Sequence, residues 1–497
     1  MLALFSTAVE PPTTARTSRV STKPHRFRSL TGCLTCRRRK KKCDERKPIC
    51  VGCTRNSVQC AWPPPGSRQN AQNSVLRATS QGCTPDQLDL SAQWSILTGS
   101  FVSPTRASAL TDTSSLLFTH YVAETAHVLS TFSPDGNNPF VTLLVPLCYN
   151  DDLLMHSLLA LSGAHMKSKS PGIDVYLATY RDYSVVIRTI RECICDHAPL
   201  DVPQALRMLL ALMIVSFFET LTGDEPGAMF SHLRASRQIF LQLANSPLAS
   251  STNDNARLFS FVLEIYRYFI LSNNIIPYGS IDCRTLPQDP FLDDILGTMN
   301  HFDTCGVIFG DSHGLFEILP CIAVLAARRL TEPTPSQASL EMHQALHVRI
   351  TEWKPPVSVV PNQKWQAQRE PALSLCREAA LLYLETAMTP DALNDTLALA
   401  KIQNYIDNIM LHAEQADGSP YETIFLGPLI IAGSCMLQRG QRQLLLASLR
   451  SNRFHMNHCL RAASLIEQLW DDPSGRIFGP SGLAIIMRRR GINLGIA

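Results

Sequence analysis

The chain has 497 residues, of which 45% are hydrophobic and 18% charged. This composition excludes a chain that is disordered as a whole, and the length exceeds the roughly 250–300 residues at which single hydrophobic cores stop growing. The net charge of +3 hides a division, because residues 1–70 carry a net charge of +12 and the remaining 427 residues a net charge of −9. A basic head on an acidic body indicates a polyanionic partner for the head alone.

Residues 1–30 are rich in Ser, Thr, Pro and Arg and show no periodicity, so we expect a disordered basic arm. Their start, MLALFSTAVEPPTTA, has no basic region before its short apolar run and makes no convincing signal peptide. The longest uncharged apolar run, residues 208–218, has 11 residues. Crossing a bilayer takes about 20 residues. The sequence therefore predicts a soluble, intracellular protein with no membrane partner.

Six of the 16 cysteines fall within residues 31–63, where the unit C-x2-C-x6-C is repeated after 17 positions. The six are Cys33, Cys36, Cys43, Cys50, Cys53 and Cys60. Thiolate sulfur is a soft ligand that zinc binds in tetrahedral sets of four, and C-x2-C brings two sulfurs to one metal. About 30 residues bury too little apolar surface to fold alone, so we expect zinc to supply the folding free energy of this unit.

Two metal stoichiometries are compatible with this spacing. In the first, the two C-x2-C pairs hold one zinc ion, and Cys43 and Cys60 are not ligands. In the second, all six sulfurs hold two zinc ions, because two bridging sulfurs would supply the eight contacts that two tetrahedral ions need. The repeat favours the second, since it makes Cys43 and Cys60 equivalent. The other ten cysteines show no pairing pattern, which is typical of a reducing compartment.

Six consecutive basic residues separate the second cysteine from the third. They are Arg37, Arg38, Arg39, Lys40, Lys41 and Lys42. A short helix after Cys36 would project these side chains at successive angles. Contacts with phosphates would give salt-dependent affinity, and contacts with guanine edges would give sequence choice. We therefore predict that the run binds double-stranded DNA, and the same run is typical of a nuclear import signal.

The stretch PPPGSRQNAQNSVLRATSQG has no apolar face and no sustained heptad, which predicts a flexible linker over residues 64–113. Over residues 114–497, apolar residues recur with helical spacing, and β-type alternation is scarce. We expect a large all-α domain there, with surface loops over 275–310 and 330–365. The predicted helices span 152–167, 174–196, 203–221, 227–244, 254–273, 312–329, 366–388, 391–415, 421–438 and 455–470. Asn150-Asp151 would cap the first of these helices.

The cysteine unit resembles the fungal zinc binuclear cluster, the DNA-binding module of a large family of fungal transcription regulators. Beyond the cysteine spacing, the run CRRRKKKC and Pro48, two residues before Cys50, match that family. The resemblance implies a small domain of two short helices and loops around two zinc ions, with Cys33 and Cys50 as bridging thiolates. It also implies that Arg39 and above all Lys40 read a CGG-type triplet, while the rest of the run serves mostly phosphates.

The helical body is similar to the fungal-specific regulatory domain that follows such clusters. The motifs that carry this similarity are His120-Tyr121, Asn138-Pro139-Phe140 and the helix LLMHSLLALSGAH over residues 153–165. The body departs from the family where Met229-Phe230 stands in place of a common Trp. The histidines of that helix are expected to be hydrogen-bonded core residues rather than metal ligands.

The sequence contains no G-x-S-x-G, G-x-G-x-x-G, P-loop or H-E-x-x-H motif, and we expect no enzyme. Two hypotheses remain. In the first, the chain is a nuclear, sequence-specific RNA polymerase II transcription regulator. Its helical domain receives a signal or binds co-regulators or the transcription machinery, and a homodimer or heterodimer stays open. In the second, the cysteine unit is a zinc-stabilised nucleic-acid-binding or interaction module on a helical scaffold, without promoter specificity.

Overall fold

The structure is a computed structural model, and it describes residues 33, 35–36, 39, 41, 43–44, 46–56 and 58–61 of the cysteine unit. The other described residues are 111–131, 138–167, 169, 172–195, 200–223, 227–244, 246, 248, 251–276, 286–287, 289–299, 301–355, 365–451, 453–492 and 494–495. The chain divides into two compact units, Met1–Gln87 and Leu88–Ala497. The predicted arm and nearly all of the predicted linker lie outside the described residues, and the predicted domain boundaries stay predictions.

In the first unit, a short helical turn follows an equivalent cysteine in each half. Thr35 and Cys36 are helical, and the N–H of Arg39 donates to the carbonyl of Thr35 at 3.1 Å, an i→i−4 bond. Helix α1 (Val51–Thr54) takes the same place in the second half, with Cys50 as its N-cap. No strand occurs among the described residues of this unit. The prediction of a small domain of short helices and loops is confirmed.

The second unit is helical and free of strands wherever it is described. It begins with α2 (Asp112–His120), which continues through a π-helical turn (Tyr121–Thr125) into a last turn (Ala126–Val128). There follow α3 (Pro139–Thr142), α4 (Leu144–Asn150), α5 (Asp152–Lys167), α6 (Ile173–Cys195), α7 (Val202–Thr222), α8 (Ala228–Leu243) and α9 (Asp254–Asn273). The predictions for α5 and α9 are confirmed to the residue, and those for α6, α7 and α8 to within one residue at each end.

Ten further helices form the described second half of this domain. They are α10 (Pro290–Thr298), α11 (His313–Phe316), α12 (Leu319–Arg329), α13 (Gln337–Thr351), α14 (Gln366–Met388), α15 (Thr396–Gln415), α16 (Leu426–Cys435), α17 (Arg439–Ser451), α18 (Asn457–Trp470) and α19 (Gly479–Arg490). Two 3-10 turns, Ala392–Asn394 and Pro420–Ile424, precede α15 and α16. The prediction for α14 is confirmed to the residue.

Several predicted helices are divided or start later than expected. The helix predicted over 312–329 is two helices, because Pro320 occupies the first turn of α12. The helix predicted over 391–415 begins at Thr396, where the carboxylate of Asp395 accepts the N–H groups of Leu397 and Ala398 and so caps a new helix. The helix predicted over 421–438 is a 3-10 turn followed by α16, and that predicted over 455–470 begins two residues later.

The expectation of surface loops over 275–310 and 330–365 is wrong where α10 and α13 form. Helix α13 is mostly exposed, and its buried residues are Ser339, Leu346 and Ile350. Such sparse apolar residues do not produce a recognisable helical period. The helix is nevertheless capped, because the hydroxyl of Ser336 accepts the N–H of Ser339 at 3.3 Å.

Helix α7 lies at the centre of the domain. Sixteen of its 21 residues are buried, and it packs against α5, α8, α9 and α18. Asp201 and Gln204 form a capping box at its start, and Gly223 ends it in the left-handed region at φ 75°. By length and composition alone α7 would span a membrane, but 89% of its apolar window is buried inside the domain. That burial is typical of the core helix of a globular protein.

The sequence motifs of the helical body contact one another. The hydroxyl of Tyr121 donates to the carbonyl of Phe140 at 3.0 Å. The amide of Asn138 donates to the carbonyl of Ala126 at 2.8 Å, and its Oδ1 accepts the N–H of Phe140 at 2.9 Å. Residues that lie 19 and 12 positions apart in the sequence are thus joined by buried hydrogen bonds that fix the entry to the domain.

The histidines of α5 are hydrogen-bonded, as predicted. His165 is 1% exposed, its Nε2 lies 3.0 Å from the carbonyl of Phe454, and its Nδ1 lies 3.2 Å from Nε2 of His120. Burial lowers the pKa of His165 to about 4, so its ring is neutral at neutral pH. His156 lies 3.1 Å from the buried carboxylate of Asp182, but its side chain is 34% exposed, so it lies outside the core.

A buried carboxylate holds an irregular turn against α9. Glu264 accepts the N–H of Gly306 and of Ile308, each at 2.8 Å. Burial raises the pKa of Glu264 to about 7, although its hydrogen bonds with backbone N–H groups oppose that shift. The charge of this carboxylate therefore changes near neutral pH.

Candidate metal centre and nucleic-acid interface

The core of the cysteine unit consists of sulfur. Five of the six cysteines are at most 8% exposed, and Cys60 is half-buried. These five form a cluster of their own, and Val58 and Cys60 are the partly buried residues packed against it in the described part of the unit. No aliphatic or aromatic side chain is fully buried among these described residues. The unit therefore depends on what its sulfurs bind.

The sulfurs of the two C-x2-C pairs converge. The Sγ atom of Cys33 lies 3.7 Å from the Sγ atoms of both Cys50 and Cys53. The Sγ atom of Cys36 lies 3.5 Å from that of Cys50 and 3.9 Å from that of Cys53. Four sulfurs held tetrahedrally at a Zn–S distance of about 2.3 Å would lie about 3.8 Å apart. This donor set fits zinc in chemistry and in spacing.

The remaining two cysteines occupy equivalent places in the two halves. The N–H of Cys33 donates to the sulfur of Cys43 at 3.4 Å, and the N–H of Cys50 donates to the sulfur of Cys60 at 3.5 Å. The Sγ atom of Cys43 also lies within 4.8 Å of that of Cys50. The one-zinc alternative would allow Cys43 and Cys60 to lie far from the converging sulfurs. In the structure both lie close to them.

A second pair of N–H···S bonds repeats in the same way. The N–H of Cys36 donates to the sulfur of Cys33 at 3.3 Å, and the N–H of Cys53 donates to the sulfur of Cys50 at 3.4 Å. Such bonds favour the thiolate over the thiol, and the thiolate is the form that binds metal. The two-fold repeat of the sequence is thus a two-fold repeat of hydrogen bonds, and it centres on Cys33 and Cys50.

Protons compete with metal for these sulfurs. Burial raises the pKa of the Cys36 thiol to about 12 and also raises that of Cys53. Burial acts in the same direction on Cys50, but hydrogen bonds from the N–H of Cys53 and from neighbouring thiols lower its pKa overall. Zinc binds thiolates, so formation of the centre releases protons.

The structure places part of the basic run beside this centre. Arg39 is half-buried and Lys41 is exposed, and the N–H of Lys41 donates to the carbonyl of Cys36 at 3.0 Å. Neither side chain forms an ion pair with a described acidic residue. The other predicted DNA-binding residues, Arg37, Arg38, Lys40 and Lys42, lie outside the described residues. The described part of the run therefore leaves a helical turn with its charges available to an anion.

Two residues that join the halves of the unit were not predicted. Asp44 accepts the N–H of Val51 at 3.0 Å through Oδ1. The hydroxyl of Thr35 donates to the carbonyl of Gln59 at 2.8 Å and accepts the N–H of Ala61 at 3.1 Å. The sequence did offer one signal, which is a mismatch between the two repeats. Gly52 and Ala61 lie 17 positions after Thr35 and Asp44, and neither has a side chain that can form these hydrogen bonds.

Both parts of the chain match known protein families. Residues 31–69 match the fungal Zn(2)-Cys(6) binuclear cluster domain. Residues 115–476 match the fungal specific transcription factor domain, which is well over half of the chain. The cluster match decides between the two stoichiometries in favour of two zinc ions per chain.

Curated relatives match a short part of the chain. The zinc cluster transcription factor CZF1 of Candida albicans is 55% identical over 47 residues, which are 10% of this chain and 12% of that protein. The transcriptional regulatory protein moc3 of Schizosaccharomyces pombe is 48% identical over 54 residues, 11% of each chain. The transcription factor lfc1 of Flammulina velutipes is 56% identical over 41 residues, 8% of this chain and 15% of that protein.

The matched stretches thus span less than a sixth of each of these relatives. No solved structure matches the chain. By name the relatives are two transcription factors and a transcriptional regulatory protein, and both domain matches are to fungal domains. The chain belongs to the fungal transcription factors that combine a Zn(2)-Cys(6) binuclear cluster with a fungal specific transcription factor domain.

Proposed function

We propose that this DNA-binding transcription regulator acts in the nucleus on RNA polymerase II promoters and recognises CGG-type triplets in double-stranded DNA. The observation that carries the proposal is the bracing of the basic run. Thr35 and Cys36 accept the N–H groups of Arg39 and Lys41, so both described residues of the run are bonded to the backbone beside the metal centre. A helical turn such as that at Thr35 and Cys36, followed by basic residues, suits the major groove, where base edges present distinct patterns.

All six cysteines hold the two zinc ions in this proposal, with Cys33 and Cys50 as the shared ligands. Support comes from the position of these two residues in the hydrogen-bond repeat, where the sulfur of each accepts the N–H of the cysteine three residues later. Sharing two thiolates lets six sulfurs complete two tetrahedral sites. The metal ions supply the rigidity that so short a segment lacks.

Within the basic run, Arg39 and Lys40 contact bases, and Lys40 carries most of the triplet preference. Arg37, Arg38, Lys41 and Lys42 serve mostly phosphates. The two kinds of contact differ measurably, because a base contact changes affinity for one sequence and a phosphate contact changes affinity for all sequences. The same run directs the protein to the nucleus.

The helical domain is the regulatory part. Its match to the fungal specific transcription factor domain and its separate hydrophobic core support a role as a receiver of signals or a surface for co-regulators and the transcription machinery. Pairing as a homodimer or heterodimer, where it occurs, would proceed through this domain, since residues 64–113 show no sustained heptad.

The test is fluorescence anisotropy with the zinc-loaded full-length chain and three probes: a duplex with one CGG triplet, a scrambled duplex, and RNA of the same sequence. We expect Lys40→Ala to remove about 1–3 kcal/mol of affinity for the CGG duplex alone. Lys41→Ala should weaken both duplexes equally and reduce the salt slope by about one. Arg55→Ala, an exposed cation in the second half of the unit, is the matched control.

Equal affinity of the wild-type chain for all three probes would contradict sequence-specific recognition and support the alternative of a zinc module without promoter specificity. A triplet preference that persists in Lys40→Ala would support sequence-specific recognition but would refute the base contact assigned to Lys40.

A further inference from the structure

Cys60 is the least protected of the six cysteines. It is half-buried, whereas the other five are at most 8% exposed. No helix contains it, because residues 58–61 are irregular. Its equivalent, Cys43, follows the basic run and precedes Asp44, which is bonded to the second half of the unit. Something other than secondary structure must therefore hold Cys60 in place.

Thr35 bonds to the backbone on both sides of Cys60. Its hydroxyl donates to the carbonyl of Gln59 at 2.8 Å and accepts the N–H of Ala61 at 3.1 Å. Thr35 is 6% exposed, and it lies between two other cysteines of the first half. One side chain of the first half thus grips the peptide groups that flank the last cysteine of the second half.

This contact runs from the first half to the second half and has no equivalent from the second half to the first. The residue 17 positions after Thr35 is Gly52, which has no side chain to grip the corresponding segment around Cys43. In the opposite direction the halves are joined by Asp44, whose carboxylate accepts the N–H of Val51 at 3.0 Å. The two halves therefore exchange two different contacts, and the hydroxyl of Thr35 is the one that reaches Cys60.

We propose that Thr35 is a positioning residue that holds Cys60 on the zinc cluster. The inference rests on the proposed function only in taking Cys60 as a zinc ligand. A hydroxyl is required because the same atom must both donate and accept a hydrogen bond. Valine has nearly the shape of threonine and can do neither, whereas serine can do both.

The test is alkylation of the zinc-loaded full-length chain with iodoacetamide, followed site by site with mass spectrometry. In Thr35→Val, we expect the rate at Cys60 to rise about five- to tenfold, as expected for the loss of one or two hydrogen bonds, and the rate at Cys33 to stay unchanged. One of the two zinc ions should also pass to a chelator faster. Thr35→Ser should restore the wild-type rates.

Thr54→Val is the matched control, because the hydroxyl of Thr54 donates to the carbonyl of Cys50 at 3.2 Å and not to either peptide group that flanks Cys60. Wild-type alkylation at Cys60 in Thr35→Val would overturn the proposal. An equal rise at all six cysteines, or a variant that takes up no zinc, would overturn it as well, since the defect would not be confined to Cys60. Binding of the CGG triplet by the wild-type chain is measured in a separate experiment. The proposed function can therefore be refuted while the difference in Cys60 alkylation between Thr35→Val and its control variants is still observed.

Discussion

The two units of this chain have cores of different composition. In the helical domain, a continuous cluster of buried leucine, isoleucine, valine and aromatic side chains surrounds α7. In the cysteine unit, the buried cluster is cysteine. The cysteine unit is too short to gain enough from the hydrophobic effect, whereas the helical domain buries a large apolar core. Stability within one chain can therefore depend on a bound ion in one region and on a buried apolar core in another.

The largest expected effect is the removal of zinc. Incubation with a strong chelator should unfold the cysteine unit and abolish DNA binding, because zinc binding to small domains supplies about 10–16 kcal/mol in comparable peptides. The helical domain should keep its circular dichroism signal and its melting temperature. Addition of zinc under reducing conditions should restore DNA binding. A helical domain that melts together with the cysteine unit would break the contrast between the two regions.

A smaller effect concerns Glu264 and pH. Its pKa is raised to about 7 in the folded domain, against about 4.3 in an unfolded chain. Its stabilising contribution is therefore full below pH 4.3 or so and is lost as pH rises through about 7. Between pH 5 and pH 8, the wild-type domain should lose about 2–3 kcal/mol of unfolding free energy relative to Glu264→Gln.

Urea unfolding followed by helical circular dichroism at several pH values measures this difference. Zinc content should be the same for both proteins at each pH, since the substitution lies in the other unit. Parallel stability curves for the two proteins would show that Glu264 does not titrate in this range.

The smallest effect concerns the crossing of α5 and α6. A Cβ atom added at Gly163 would lie 1.9 Å from Oγ1 of Thr179, so Gly163→Ala forces two packed helices apart. We expect a loss of about 1–3 kcal/mol in the unfolding free energy of the helical domain, as for other overpacked cores. Gly440→Ala is the control, because a Cβ there meets no atom within 4 Å.

Gly440 is the second residue of α17, so its substitution by alanine should change the unfolding free energy of the domain by less than about 1 kcal/mol. Thermal melting of both variants and zinc analysis of both proteins check the prediction. A change in zinc content in Gly163→Ala would show that the two units depend on each other.

The cysteine unit could be predicted from sequence because its ligands form a repeat. The spacing alone gave the six sulfurs and left two stoichiometries open, which the family match then resolved. The contacts of Thr35 and Asp44 could not be predicted, because they join residues whose proximity follows from the folding of the metal centre and not from any local period. The contacts of Lys40 stay a prediction.

In the helical domain, prediction succeeded for long helices with many buried apolar residues, and it missed shorter helices whether they bury few residues, as α17 does, or several, as α19 does. Helices α5, α9 and α14 carry many buried apolar residues, and their limits match the prediction. Helix α17 was missed, since Leu445 and Leu449 are its buried residues and the rest is polar. Helix α10 was missed because it is short and lies in a segment with many breaking residues. Local pattern is informative where a helix is long enough to repeat its apolar spacing several times.

The burial of α7 has a consequence for the synthesis of the protein. Part of its surface is covered by α18, which leaves the ribosome more than 200 residues later. Translation adds about 5–20 residues per second, so α7, an apolar helix of membrane-spanning length, lacks its contact with α18 for at least about ten seconds. A nascent chain in that condition is a substrate for chaperones that shield apolar segments, and translation speed over residues 223–457 becomes a determinant of yield.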